Sequence, residues 1–180
     1  MACNQTLAGL LRDCLPSMGG VRRLYLANFD DIAGVTESGK ITAINLATGV
    51  TTPFFRYELN DETASMESTP TIDRASGANY VETVVAATFP HMDTVKRAEV
   101  EAIKLNDLVA IVLDNNGHYW YLGKDRPVKA GGSPASGTGT AFGDANRYAI
   151  ELHDVALNYP LEMNVGTGAG AVELDTLVAN

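Results

Sequence analysis

The side chains best suited to chemistry in this chain are three histidines, two acidic pairs, one acidic turn and one glycine-rich stretch. His91, His118 and His153 stand far apart, and none is at metal-ligand spacing from another. A hydrolase triad would also need a nucleophile on a sharp elbow, and no such motif occurs. Each histidine therefore reads as a surface or strand residue. Asp30-Asp31 and Asp61-Glu62 would serve a glycosidase only if two carboxylates converged across a cleft, and sequence neighbours often diverge. Asp114-Asn115-Asn116-Gly117 hints at a calcium loop, a pattern with glycine sixth and glutamate twelfth. Here glycine is fourth and Asp125 is twelfth, so the segment reads as a turn. The run from Gly137 to Gly143 has the composition of a phosphate cradle, but it opens no helix and no P-loop lysine follows. It reads as a glycine-rich hairpin loop. Tyr119, Trp120 and Tyr121 form an aromatic run with one parity in the core and the other free for a sugar or a partner. Core or subunit contact is the favoured reading. Asn4-Gln5-Thr6 fits a glycosylation pattern without a secretory context. Cys3 and Cys14 have no spacing that demands a bridge and read as reduced thiols. No residue is assigned catalysis, and no cofactor or metal is expected.

The elements that carry these residues are mostly strands. The chain has 180 residues, which suits one domain and is long enough to bury roughly 70% of its unfolded surface. Hydrophobic residues make up 46%, yet no window approaches the ~18 apolar residues of a membrane helix. The N-terminus shows no signal-peptide pattern. The net charge of −9 disfavours binding to nucleic-acid backbones and anionic membranes.

Leu7, Leu10, Leu11 and Leu15 predict a short helix or arm within residues 1–20, closed by Pro16 and Gly19-Gly20. Strands are expected at about 21–29, 40–46 and 53–59, the last with Phe55, Tyr57 and Leu59 on one face. Met66 to Asp73 alternates, and Pro70 marks it as an edge strand or a bulge. Tyr80 to Phe89 is a half-buried strand with Val81, Thr83, Val85, Ala87 and Phe89 inward. Asp93 or Thr94 caps a helix over about 93–105 whose apolar stripe is Val95, Ala98, Ala102 and Ile103. Leu108 to Leu113 is apolar throughout and reads as a strand buried on both faces. Asn116-Gly117 then predicts a hairpin with His118 to Leu122, because both turn residues tolerate positive φ. A long strand is expected from Tyr148 to about Leu161, with a bulge near His153-Asp154 where the apolar phase slips. The glycine-rich end, with Val172 to Val178, reads as a loose arm or as a last strand that docks on a neighbour. The resulting organisation is an N-terminal arm or short helix at 1–20, a β-sandwich domain at 21–163 and a C-terminal arm at 164–180.

Strands, one short helix, a strand hairpin and a long closing strand resemble the phage tail tube (major tail) protein family. The residues that carry the likeness are Leu108 to Gly123, Ser136 to Tyr148, and the opening around Arg12-Asp13-Cys14 and Gly19-Gly20-Val21. The likeness covers most of the chain from about residue 20 and rests on structural motifs of low specificity. It implies a mainly β fold, an antiparallel β-sandwich or barrel with one short α-helix, tail-tube-like. It also implies a non-enzymatic virion protein of the tail, made and assembled in the host cytoplasm. Its partners would be copies of itself in homo-oligomeric rings, six-fold and stacked, together with other tail or head–tail proteins. DNA would be only non-specific passing cargo, and no membrane would be bound. Six copies at −9 each would line such a conduit with charge that repels its cargo. Sheet edges would be covered by joining neighbouring sheets. Asn60–Gly77, Lys129–Asn146 and the tail after Met163 are then expected to be flexible pieces that order in ring-to-ring contacts. Three alternatives differ in what they require. A tail terminator, connector or capsid decoration protein stops at one ring. A non-viral β-sandwich binding module needs an exposed aromatic platform. A hydrolase needs a deep cleft with converging carboxylates.

Overall fold

The apolar run at 108–113 becomes the strand that organises the molecule. In the computed structural model, which describes residues 9–10, 14–132 and 135–179, β7 (Leu108–Asp114) sits inside a seven-stranded sheet. Alternate side chains leave a strand on opposite faces, so Leu108, Ala110 and Val112 enter one core while Val109, Ile111 and Leu113 enter another. An all-apolar strand is what two cores require.

The large sheet also contains β1 (Val21–Asn28), β2 (Ile32–Ser38), β3 (Lys40–Leu46), β4 (Phe55–Glu58), β8 (Tyr119–Leu122) and β11 (Leu161–Met163), in the order β2-β3-β11-β8-β7-β1-β4. The small sheet is built from β5 (Ala64–Asp73), β6 (Ala78–Pro90), β9 (Lys129–Gly131) and β10 (Arg147–Ala156), in the order β5-β6-β10-β9. Neighbouring strands run antiparallel except β11 beside β3. The fold is a mainly β two-sheet sandwich, as expected from the sequence, and among the described residues one helix is longer than two turns. The first core lies between the sheets, with Leu24 and Val112 facing Val85 and Leu152. Each such buried side chain contributes about 1.5–3 kcal/mol. The second core lies on the other face of the large sheet, around Phe54, Ile111 and Met163.

Several elements follow the sequence closely. The hairpin pairs Val112 with Trp120 and Ile111 with Tyr121. Its turn is not built from two positive-φ residues, however. Gly117 alone among the turn residues has positive φ, at 89°. The other residues of the turn are held by Asp114, whose Oδ1 accepts the N–H groups of Asn116 and His118 at 2.9 Å each. Strand β6 alternates as read, with Val81, Thr83, Val85 and Ala87 buried. Pro70 lies in β5, an edge strand of the small sheet, where its missing N–H costs no ladder bond on the free side.

Other expectations change. The helix α1 (Thr94–Leu105) is capped by Asp93 through a 2.7 Å bond from the Lys96 N–H. Its buried face is Ile103 with Val100, whereas Val95, Ala98 and Ala102 are exposed. The helix meets the sandwich along β9 and β10, so only a narrow stripe is covered. The long closing strand is two strands. Strand β10 pairs with β6 in unbroken register from Arg147↔Pro90 to Ala156↔Val81, with no bulge. The phase slip is the end of the strand: Leu157 and Tyr159 lie beyond it, exposed, and the chain crosses to β11 in the other sheet. Strand β11 is stapled there by Glu162, which takes Lys40 at 2.7 Å and His118 at 2.9 Å. Those two hydrogen bonds hold the Glu162 carboxyl below its ordinary pKa.

The tail is neither loose nor reserved for a neighbour. Val172 and Leu174 are buried in the second core, a one-turn helix α2 (Leu174–Leu177) follows, and Val178 bridges Phe54. Asn60–Gly77 is also not a slack segment, since most of it is β5 and the turn that leads to β6. Strand β2 was not foreseen. The N-terminal helix expectation falls largely on residues 1–8 and 11–13, outside the described residues. Residues 14–20 are non-helical.

Candidate functional site

A sheet edge carries a row of backbone donors and acceptors that nothing in the same molecule satisfies. The sandwich has four such strands, β2 and β4 in one sheet and β5 and β9 in the other. The tail covers the residue that leads into β4, where Phe54 N–H donates to the Leu177 carbonyl and Ala179 N–H to the Phe54 carbonyl. Strand β9 is only three residues long. Strand β5 is the long open edge, with ten residues paired to β6 on one side alone.

The β5–β6 hairpin outruns its sheet. Strand β10 ends opposite Val81, so the rungs Thr71↔Tyr80, Ile72↔Asn79 and Asp73↔Ala78 have no third strand beside them. The tip is nevertheless well formed. Asp73 accepts the Ala75 N–H at 2.9 Å and the Ser76 hydroxyl at 2.7 Å, and these bonds lower its carboxyl pKa. Ile72 keeps the inward parity of β5 but lies past the core, and is 68% exposed. Phe55, Leu157, Tyr159 and Phe142 are further large apolar side chains left outside the cores. Phe142 stands at the tip of the glycine-rich loop. Asp144 Oδ2 accepts the N–H groups of Thr140 and Ala141 at 2.7 and 2.8 Å, and these bonds hold its carboxyl below the usual range. The amides that a phosphate cradle would need are therefore already occupied by a carboxylate of the same loop.

One cleft opens at the end of the sandwich from which the hairpin projects. It has a volume of about 360 Å³, and its walls come from Glu37, Gly39 and Ile41, from Tyr121, Lys124 and Asp125, and from the link between β10 and β11. Asp154 is its innermost carboxylate. Ile150, Leu152 and Asp154 share the inward parity of β10, so Asp154 points between the sheets and is 4% exposed. It lies opposite Thr83 in the ladder, and Thr83 lies opposite Ser68, to which its hydroxyl is bonded at 2.8 Å. Asp154 accepts the Gly123 N–H, but among the described residues its Oδ1 has no hydrogen-bond partner. Burial, opposed by that bond and aided by the Asp125 charge, raises its pKa. Burial also raises the Tyr121 phenol, and the Asp154 charge adds to the effect. Lys124 does not neutralise Asp154, because its ammonium is engaged by Glu37 at 2.6 Å.

A carboxyl whose folded pKa is raised destabilises the fold once it ionises. At a pH below the unfolded value of about 3.9, both states are protonated and the penalty vanishes. It grows as pH rises through the folded pKa and is complete above it. Asp154→Asn is therefore expected to match the wild type near pH 3 and to be more stable at pH 7.5 by about 1 kcal/mol. Thermal unfolding at the two pH values checks this, and equal Tm shifts at both would contradict it.

The residues singled out by type and spacing do not assemble into one site. His91 lies in the turn between β6 and α1, His118 pairs with Glu162, and His153 Nδ1 pairs with Glu82 at 2.9 Å. Asp30-Asp31 forms a single 3-10 turn with Phe29, and Asp61-Glu62 lies in the turn before β5. Asp114, the first residue of the calcium-like segment, is filled by its own turn and by Trp120 Nε1 at 3.1 Å. The neighbouring asparagines clamp the chain before β1. Asn116 meets the Met18 backbone with two 2.8 Å bonds, and Asn115 Nδ2 donates to the Gly19 carbonyl at 2.7 Å. The aromatic run is no open platform, since Tyr121 is buried and Tyr119 and Trp120 pack against opposite cores. Cys14 is exposed and free, while Cys3 lies outside the described residues. Among the described residues, no group of three His, Cys, Asp or Glu side chains could hold a metal ion. Nor is any helix among them long and apolar enough to cross a membrane.

The sequence reading missed the cleft because its walls come from three distant stretches of chain. One signal was present: a carboxylate at Asp154 on the apolar parity of a strand. No family model, curated protein or solved structure matches this chain.

Proposed function

We propose that this chain is a structural subunit of a phage tail tube, which joins its open sheet edges to identical copies, closes into rings of six and stacks them into a conduit for DNA. The observation that supports the reading most is β5, a ten-residue edge strand paired on one side only, with a hairpin tip that outruns the sheet. Proteins that stay monomeric shorten, charge or cover such an edge. Here the defences are Glu67, Pro70 and, at the strand's end, Asp73. Apolar side chains at Phe55, Ile72, Phe142, Leu157 and Tyr159 stand outside the cores and suit burial against copies of the chain. The net charge of −9 fits a passage that lets DNA slide without holding it. Tail and head–tail proteins are the further partners of this reading, and the virion tail is its location. Open-ended growth separates a tube protein from a terminator or connector, which stops at one ring.

Sedimentation velocity over a wide concentration range tests the reading. A species that grows beyond a single ring as concentration rises is expected. A sharp monomer boundary at the highest concentration would remove it.

A further inference from the structure

We propose that the acidic cleft is the seat for the hairpin tip of a neighbouring copy, with Arg74 reaching Asp154 and Asp125 and Ile72 covering the apolar wall. The inference rests on the self-assembly reading above and names the contact that closes its ring. The cleft needs a cation. Three carboxylates, Glu37, Asp125 and Asp154, line it against one lysine, and that lysine is engaged by Glu37. The innermost carboxylate is 4% exposed, points between the sheets and, among the described residues, has an oxygen without a partner. A buried polar group in that state costs free energy until something pairs with it. A guanidinium carries a fork of donors that fits carboxylates and sheds water more readily than an ammonium.

The hairpin tip offers that group. Arg74 is exposed in the β5–β6 turn, and among the described residues it has no ion pair or hydrogen-bonding partner. The Asp73 bonds to Ala75 and Ser76 fix the turn, so little entropy is lost when it docks. Ile72, exposed two residues before Arg74, meets Tyr159 and Pro160 in the cleft wall. The arrangement also fits cyclic symmetry. Tip and cleft lie at the same end of the small sheet, because β10 ends at the cleft beside the rungs where the hairpin leaves. Tip and cleft are different surfaces of one chain, so a copy that receives a tip presents its own tip to the next copy. Such a contact is head-to-tail, and it closes a ring when the rotation closes. The hairpin then works within a ring, in place of the ring-to-ring role expected for Asn60–Gly77.

Charge reversal tests this in the full chain, at two exposed positions that leave both cores intact. Arg74→Glu and Asp125→Arg are each expected to raise the concentration for half-assembly by about tenfold or more, since like charges would face each other. The double variant restores the pairing with its sign inverted and is expected to return to within a few-fold of the wild type. Sedimentation velocity reads the assembly, and an unchanged Tm shows that the variants are folded. If the wild type assembles and both single variants assemble equally well, the seat is overturned and the tube reading survives. If both single variants block assembly and the double variant regains nothing, tip and cleft do not meet each other, and the seat is again overturned. A wild type that never assembles overturns both proposals together.

Discussion

Gly123→Ala is expected to lower the unfolding free energy by about 3 kcal/mol, near the top of the range for a single added methyl group. Gly123 follows β8 with φ of 88°, in the left-handed region that costs an L-residue about 1–2 kcal/mol. The space is also taken. A Cβ there would stand 3.2 Å from the Leu108 carbonyl oxygen and 3.2 Å from Val128 Cγ2. Neither can retreat, because Leu108 and Val128 exchange two backbone bonds and both are buried. Overpacking of this kind adds about 1–3 kcal/mol. For a chain of this size the sum corresponds to a fall in Tm of about 10 °C. Thermal and urea unfolding read it, and a loss below about 1 kcal/mol would show that the strand end yields more easily than its contacts indicate. The same change moves the N–H that Asp154 accepts, so the floor of the cleft shifts with it.

The second large effect concerns assembly alone. Thr69 and Thr71 lie on the outward face of β5, the long open edge. Thr69→Lys with Thr71→Lys adds two long cations to that edge, a device by which natural sheets refuse a further strand. If copies join through β5, the double lysine variant is expected to need at least roughly tenfold more protein to assemble, with Tm changed by only a degree or two. Sedimentation and thermal unfolding of the same sample read the two quantities separately. Normal assembly of this variant would mean that copies meet elsewhere. A large fall in Tm would mean that the positions serve the monomer.

How much of this was legible in the sequence depended on whether the signal was local. The core strand at 108–113 and its hairpin were legible, because an apolar run followed by Asn-Gly has few other solutions. The alternation in β6 was legible for the same reason. Strand β2 was not, since Gly34 interrupts its pattern and two register shifts against β3 break its parity. At β4 the sequence grouped Phe55, Tyr57 and Leu59 on one face, but the fully buried residue is Phe54 just before the strand, held by the distant tail residues Leu177 and Ala179. The helix stripe was misread because periodicity shows that a face exists but not how wide a neighbour will cover it. Val100 and Ile103 are covered, while Val95 and Leu105 are left exposed. The apparent bulge at His153-Asp154 was a polar residue placed on a core parity, followed by apolar residues beyond the strand's end. That one misreading concealed the cleft, whose innermost carboxylate is Asp154.

Negative-stain imaging of the purified wild-type chain at high concentration addresses the central proposal most directly, because it asks whether incomplete edges are completed by more of the same molecule. Hollow rings of uniform diameter, stacking into tubes without a fixed length, are the predicted result. Single compact particles at every concentration, or closed pairs with no lumen, would contradict it.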